Sequence, residues 1–180
     1  MRVFFALPVP DKALKETSRW RMAVSSELPI ARLIPESRMH VTLNFLNDAE
    51  DEEVAMLRGV CQEVASGAAP ILSKLSGLGV LPSLSRPRVV YLEMSEGRDE
   101  VEGLSRIISQ RLKETAARSF LPHITVARTR GAASSSVNRL CRIHLPPARV
   151  TFRKMVLYRS VLRKTGVLYQ PLQTVDLGGG

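Results

Sequence analysis

Two short stretches carry the residue types best suited to chemistry. One is Arg38-Met39-His40-Val41-Thr42-Leu43-Asn44-Phe45-Leu46, and the other is Leu121-Pro122-His123-Ile124-Thr125-Val126-Ala127-Arg128. Each reads histidine, β-branched residue, threonine, aliphatic residue. An imidazole has an ordinary pKa of about 6.5, so near neutrality one copy can take a proton while the other gives one. A threonine hydroxyl can donate to an oxygen on which charge is growing. Two imidazoles and two hydroxyls converging on one spot would suit a tetrahedral phosphate, with in-line displacement needing a base and an acid on opposite sides of phosphorus. A single His-x-Thr triplet would read as an ordinary half-buried strand. Two copies in a chain with only three histidines point to a site.

Strands must position these groups. Both stretches are rich in Val, Ile, Thr and Leu, which favour extended structure. Alternation along a strand puts His40 and Thr42 on one face, roughly 6.6 Å apart, and Val41 and Leu43 on the other. His123 and Thr125 stand likewise against Ile124 and Val126. Around them, Arg2 to Leu7 reads as a buried strand ended by Pro8 and Pro10, and Asp11 is placed to cap a helix reaching Leu28. Ile30 to Ile34 is extended, and Asn47-Asp48 makes a turn. Glu50-Asp51-Glu52-Glu53 sits at a helix start, where negative charge is favourable; it reads as a solvated helix end and not a metal site. A strand with a bend at Gly77 and Gly79 spans Ile71 to Leu81, and Pro82 to Arg88 is a loop before a strand over Val89 to Met94. A third helix runs from Val101 to Leu112. Gly131 to Ser136 reads as a small-residue loop, Val137 to Cys141 as a short helix. Two closing strands are expected over Val150 to Leu162 and Val167 to Leu177, with 178–180 a flexible tail.

The chain is 180 residues long with 44% hydrophobic residues and a formal net charge of +9. That length suits one domain with a real core. No apolar run approaches the ~18 residues of a membrane span, and the apolar start, interrupted by prolines, lacks the form of a signal peptide. Cys61 and Cys141 form no C-x-x-C pair, which favours free thiols in a reducing cytoplasm. The positive charge favours a polyanionic partner such as RNA. Neither motif has the carboxylates or ligand-spaced histidines of a metal centre, and no Gly-rich phosphate loop occurs, so neither metal nor cofactor is expected. His144, outside both motifs, reads as a surface or half-buried residue. Arg38, Arg86 and Arg88 are candidate contacts to a nucleic-acid backbone, and Phe5, Phe45 and Tyr91 are candidates to stack a base.

On these motifs the sequence resembles the 2H phosphoesterases, and among them the RNA 2′,3′-cyclic phosphodiesterase (2′-5′ RNA ligase) family. The likeness extends to the opening Met1-Arg2-Val3-Phe4-Phe5-Ala6-Leu7-Pro8, to Pro87-Arg88-Val89-Val90-Tyr91-Leu92, and to Leu157-Tyr158-Arg159-Ser160 with Gly166-Val167-Leu168-Tyr169. Asn47 stands where the family usually has Gly. Asn also tolerates a left-handed backbone. The resemblance implies an α+β fold, a single domain over 1–180 of two similar lobes, each an antiparallel sheet backed by helices, facing across a cleft. It implies a monomer hydrolysing 2′,3′-cyclic phosphate ends of RNA, or small cyclic nucleotides, to 2′-phosphates without metal, with reversible 2′-5′ ligation. His40 would be proton donor, His123 proton acceptor, Thr42 and Thr125 phosphate ligands. Arg128 would hold the substrate, although its odd offset from His123 serves the site only if the strand bends or ends before it. Another small cyclic or 2′-linked nucleotide, or RNA binding without catalysis, are the alternatives.

Overall fold

Five successive residues, Val3 to Leu7, are buried: Val3, Phe5 and Leu7 belong to the hydrophobic core, and neighbouring aromatic rings cover Phe4 on the other face. In the computed structural model Arg2–Pro8 (β1) lies between two antiparallel partners near the middle of the sheet. The structure describes residues 1–113, 120–164 and 166–178. After β1 come α1 (Asp11–Glu27), β2 (Arg32–Leu33), β3 (His40–Leu46), α2 (Val54–Ser66), β4 (Ile71–Leu81) and β5 (Val89–Glu96). Then follow α3 (Arg98–Arg111), β6 (His123–Arg128), α4 (Ser134–Cys141), β7 (Ala148–Phe152), β8 (Lys154–Arg163) and β9 (Gly166–Asp176).

The fold is α+β. The strands run in the order β7-β4-β5-β6-β3-β1-β8-β9, with β2 added against β6. The sheets of the two halves are thus continuous, joined where β3 meets β6. In the half built on β3, β1, β8 and β9, α2 packs on β8 and β9 and α3 packs on β3. In the other half, α1 packs on β7 and α4 on β4, and the two helices touch. Each helix buries one stripe. In α1 this is Ala13, Leu14, Thr17, Trp20 and Val24, spaced to return every three or four residues, and Trp20 is fully buried.

Local chemistry accounts for the differences from expectation. Asp11 lies in the first turn of α1 but caps nothing; Pro10 occupies the N-cap position without a side-chain hydrogen bond. The acidic run is a helix start, with Asp51–Glu53 as a 3-10 turn and Glu50 and Glu53 closing a reciprocal capping box. The chain closes with three strands, because Arg153 interrupts the first of the two expected. Part of the small-residue loop belongs to α4, which already begins at Ser134. Of the expected tail, Gly178 donates its N–H to the Ala65 carbonyl at 3.3 Å, whereas 179 and 180 lie outside the described residues.

Candidate active site

β3 and β6 pair antiparallel at a single position, Val41 opposite Ile124. Both side chains are fully buried, so they point to the core and the residues flanking them point the other way. Those flanking residues are His40 and Thr42 on one strand and His123 and Thr125 on the other. Antiparallel direction sets His40 beside Thr125 and Thr42 beside His123. The two histidines therefore take opposite corners of the cluster, a diagonal of roughly 8 Å at ideal strand spacing and rise. All four line one cleft of about 580 Å³, together with Arg32, Arg38 and Arg128.

Both imidazoles are tethered in the same way. His40 Nδ1 lies 2.7 Å from the Arg38 carbonyl oxygen, and His123 Nδ1 lies 2.7 Å from that of Leu121. A carbonyl only accepts, so Nδ1 holds the proton and Nε2 is left to exchange one with a ligand. His40 Nε2 lies 3.1 Å from Thr42 Oγ1; with the imidazole neutral, the hydroxyl donates. The surroundings of the two rings differ. The Phe4 ring lies 5.1 Å from His40, and Tyr169 meets it edge-on at 5.4 Å. Phe45 and Tyr158 stack on Phe4 in turn. Burial against this aromatic wall lowers the pKa of His40, the nearby His123 lowers it further, and the Arg38 carbonyl partly opposes them. His123 meets one aromatic edge, Tyr91, at 5.2 Å. Tyr91 can lie there because its partner across the sheet is Gly79, where a Cβ would collide with the phenol ring.

A matching irregularity in each motif strand decides which other residues reach the cleft. Thr42 pairs with Ala6 and Asn44 with Phe5, so Leu43 is an extra residue. Likewise Thr125 pairs with Tyr91 and Ala127 with Val90, so Val126 is extra. Each bulge falls three positions after its histidine, and one added residue reverses the alternation beyond it. Asn44, displaced from the histidine face, donates from Nδ2 to Ser109 Oγ of α3 at 3.3 Å. Phe45 and Arg128, each five positions after a histidine, come back to the site face and line the cleft. The strand bend that Arg128 required is this bulge.

Other candidates fall elsewhere. Phe5 is fully buried in the core and cannot stack a base. Pro8 pairs with His40 and Ala6 with Thr42, so even-numbered residues of β1 share the histidine face and Phe4 is the ring in contact with the site. Arg86 and Arg88 are exposed but are not among the cleft-lining residues. Tyr91 contacts His123 but is 8% exposed, which leaves it a packing role. Arg38 lines the cleft and donates from Nη1 to the Val167 carbonyl at 2.7 Å, fastening the start of β9. His144 is exposed and outside the cleft. Sequence reasoning missed Arg32, Phe4 and Tyr169. Phe4 and Tyr169 lay inside stretches of family likeness, whereas no signal marked Arg32.

Among the described residues no group of three or more His, Cys, Asp or Glu is placed to hold a metal, and no helix is long and apolar enough to cross a membrane. Residues 9–163 match the model of the 2′-5′ RNA ligase superfamily, and the chain belongs to that family. It is 26% identical to an RNA 2′,3′-cyclic phosphodiesterase of Aquifex aeolicus, over 94% of each chain. It is 29% identical to one of Thermus thermophilus, over 99% of this chain and 91% of the relative. In structure it is similar to TT0787 of Thermus thermophilus, with a TM-score of 0.77, 25% identity and 99% of each chain covered.

Proposed function

We propose that this protein hydrolyses 2′,3′-cyclic phosphate ends of RNA to 2′-phosphates without a metal ion. The observation that carries the reading is the convergence of two His/Thr pairs about Val41 and Ile124, each imidazole presenting Nε2. A water oxygen attacks phosphorus in line with the 3′-oxygen while His123 Nε2 takes its proton. The bond from phosphorus to O3′ breaks, and that oxygen receives a proton from His40 Nε2. The product carries a 2′-phosphate and a 3′-hydroxyl, and proton exchange with solvent resets the two rings. Thr42 and Thr125 donate to the non-bridging oxygens. Burial favours neutral His40 in the free protein, so His40 takes its catalytic proton from solvent when the anionic phosphate binds, whose charge stabilises imidazolium.

The donor and acceptor assignment follows the family resemblance, and the same site run backwards would join a cyclic end to a 5′-hydroxyl as a 2′-5′ linkage. Hydrolysis dominates because water at ~55 M outcompetes a scarce RNA end unless binding orients the latter. The relatives' shared name, RNA 2′,3′-cyclic phosphodiesterase, supports this substrate class. One chain supplies both motifs, as a monomer requires, and the continuous halves are consistent with two pseudo-symmetric lobes of one domain. Both cysteines are free, and burial pushes the Cys61 thiol up to about 11; packed thiols of this kind suit a cytoplasmic protein. The test is a product assay on 2′,3′-cyclic mononucleotides in excess chelator. The reading requires 2′-phosphate as product; 3′-phosphate, or binding without turnover, would overturn it.

A further inference from the structure

Arg32 and Arg128 stand directly opposite each other in the β2–β6 ladder. Partners in an antiparallel ladder project to the same face, and like charges placed so repel. Both arginines line the catalytic cleft, and no Asp or Glu lines it with them. Among the described residues neither takes part in an ion pair or a side-chain hydrogen bond. The repulsion is built into well-fastened backbone. The Ile34 N–H donates to the carbonyl of the bulged Val126 at 2.7 Å, and Arg21 Nη1 donates to the Ile34 carbonyl at 2.7 Å. β2 therefore holds Arg32 against Arg128 without compensating charge. Two guanidiniums so placed form a two-sided fork for an anion with several oxygens.

Resting on the reading above, we infer that Arg32 and Arg128 clamp a second phosphate, the one on the 5′ side of the nucleoside whose cyclic phosphate is opened. The spacing supports this choice. Along β5, Thr125 lies opposite Tyr91 and Arg128 opposite Val89, so the clamp is displaced from the His/Thr centre by two residues, roughly 7 Å. That is comparable with the separation of successive phosphates in a single strand. The nearest phosphate to a 2′,3′-cyclic end is the 5′-phosphate of the same nucleoside. The preferred substrate is accordingly an RNA end or a 5′-phosphorylated cyclic nucleotide, with a bare nucleoside 2′,3′-cyclic phosphate the poorer one. The clamp reads phosphate and leaves the base unread.

The test needs a binding arm and a turnover arm. Calorimetry would compare adenosine 2′,5′-bisphosphate with adenosine 2′-phosphate on the wild type, Arg32→Gln and Arg32→Lys. Charge-assisted hydrogen bonds to a phosphate make the bisphosphate tighter on the wild type by on the order of tenfold or more, and Arg32→Gln should shrink that ratio to about twofold. Arg32→Lys, which keeps charge but loses the fork, should fall between. The kcat/KM ratio for 5′-phosphorylated over bare adenosine 2′,3′-cyclic phosphate should follow the same order. Equal wild-type affinities, or an Arg32→Gln variant that weakens both ligands alike, would overturn the clamp. A bisphosphate preference without turnover of either cyclic nucleotide would uphold the clamp and sink the hydrolase reading, so the two fail separately.

Discussion

Removing the histidines singly and together tests whether the two strands act as one catalytic unit. His40 and His123 occupy opposite corners about the Val41–Ile124 pair, and each is oriented through Nδ1 by a backbone carbonyl. Neither Nδ1 tether involves a side chain that could be mutated instead. If one imidazole takes the water proton while the other protonates the leaving oxygen, both transfers belong to one transition state. His40→Ala and His123→Ala should then each lower kcat by on the order of 10² to 10⁴, the usual worth of a positioned acid or base. That range corresponds to about 2.7 to 5.4 kcal/mol of barrier at 1.36 kcal/mol per decade. The double variant should be scarcely worse than either single, because groups acting together are strongly non-additive. Thr42→Val and Thr125→Val, which keep the strand shape and delete a donor, should each cost less than the neighbouring histidine. The assay is turnover of one 2′,3′-cyclic mononucleotide by all variants, with unfolding monitored in parallel. Penalties that multiply in the double variant, or full activity in either single one, would refute the paired mechanism.

The pH profile should separate the two roles: with His40 as acid, the alkaline limb of kcat/KM lies below the ordinary imidazole value because burial lowers its pKa in the free protein. In kcat that limb should move upward as the bound phosphate favours imidazolium; an alkaline limb of kcat/KM at or above the ordinary value would argue against this. The same shift acts on stability. The folded chain binds fewer protons at His40 than the unfolded chain, so stability should fall as pH drops through about 6.5 and level off below the folded pKa. Denaturant titrations from pH 8 to 5 should show this loss, and it should shrink in His40→Ala. Phe4→Ala, at a site only 2% exposed, should destabilise by about 3 to 5 kcal/mol. Phe45→Ala, 46% exposed, should barely change Tm and should instead raise KM if that ring meets a base. Arg86→Ala with Arg88→Ala should flatten the salt dependence of RNA binding while mononucleotide turnover persists, since both lie outside the cleft lining; an unchanged slope marks them as plain surface charge.

Residue type and alternation by themselves determined a good deal. They gave the two His/Thr strands, the faces of His40, Thr42, His123 and Thr125, the four helices, and the solvated character of the acidic run at 50–53. These are local matters, because a strand's alternation and a helix's stripe depend only on neighbouring residues. What needed the tertiary structure was everything set by pairing register. Alternation counted along the sequence sends Arg128 and Phe45 away from the histidines, and the bulges at Val126 and Leu43 bring them back. A bulge exists only in relation to the partner strand, so one strand's residues cannot reveal it. The same holds for Phe4 and Phe5, adjacent rings of one type, where the pairing of Pro8 with His40 decides which meets the site and which fills the core. Arg32, on a two-residue strand, became a candidate only because β2 sets it against Arg128. Nothing within the β2 sequence encodes a partner almost a hundred residues away. Only the folded sheet brings that pair together.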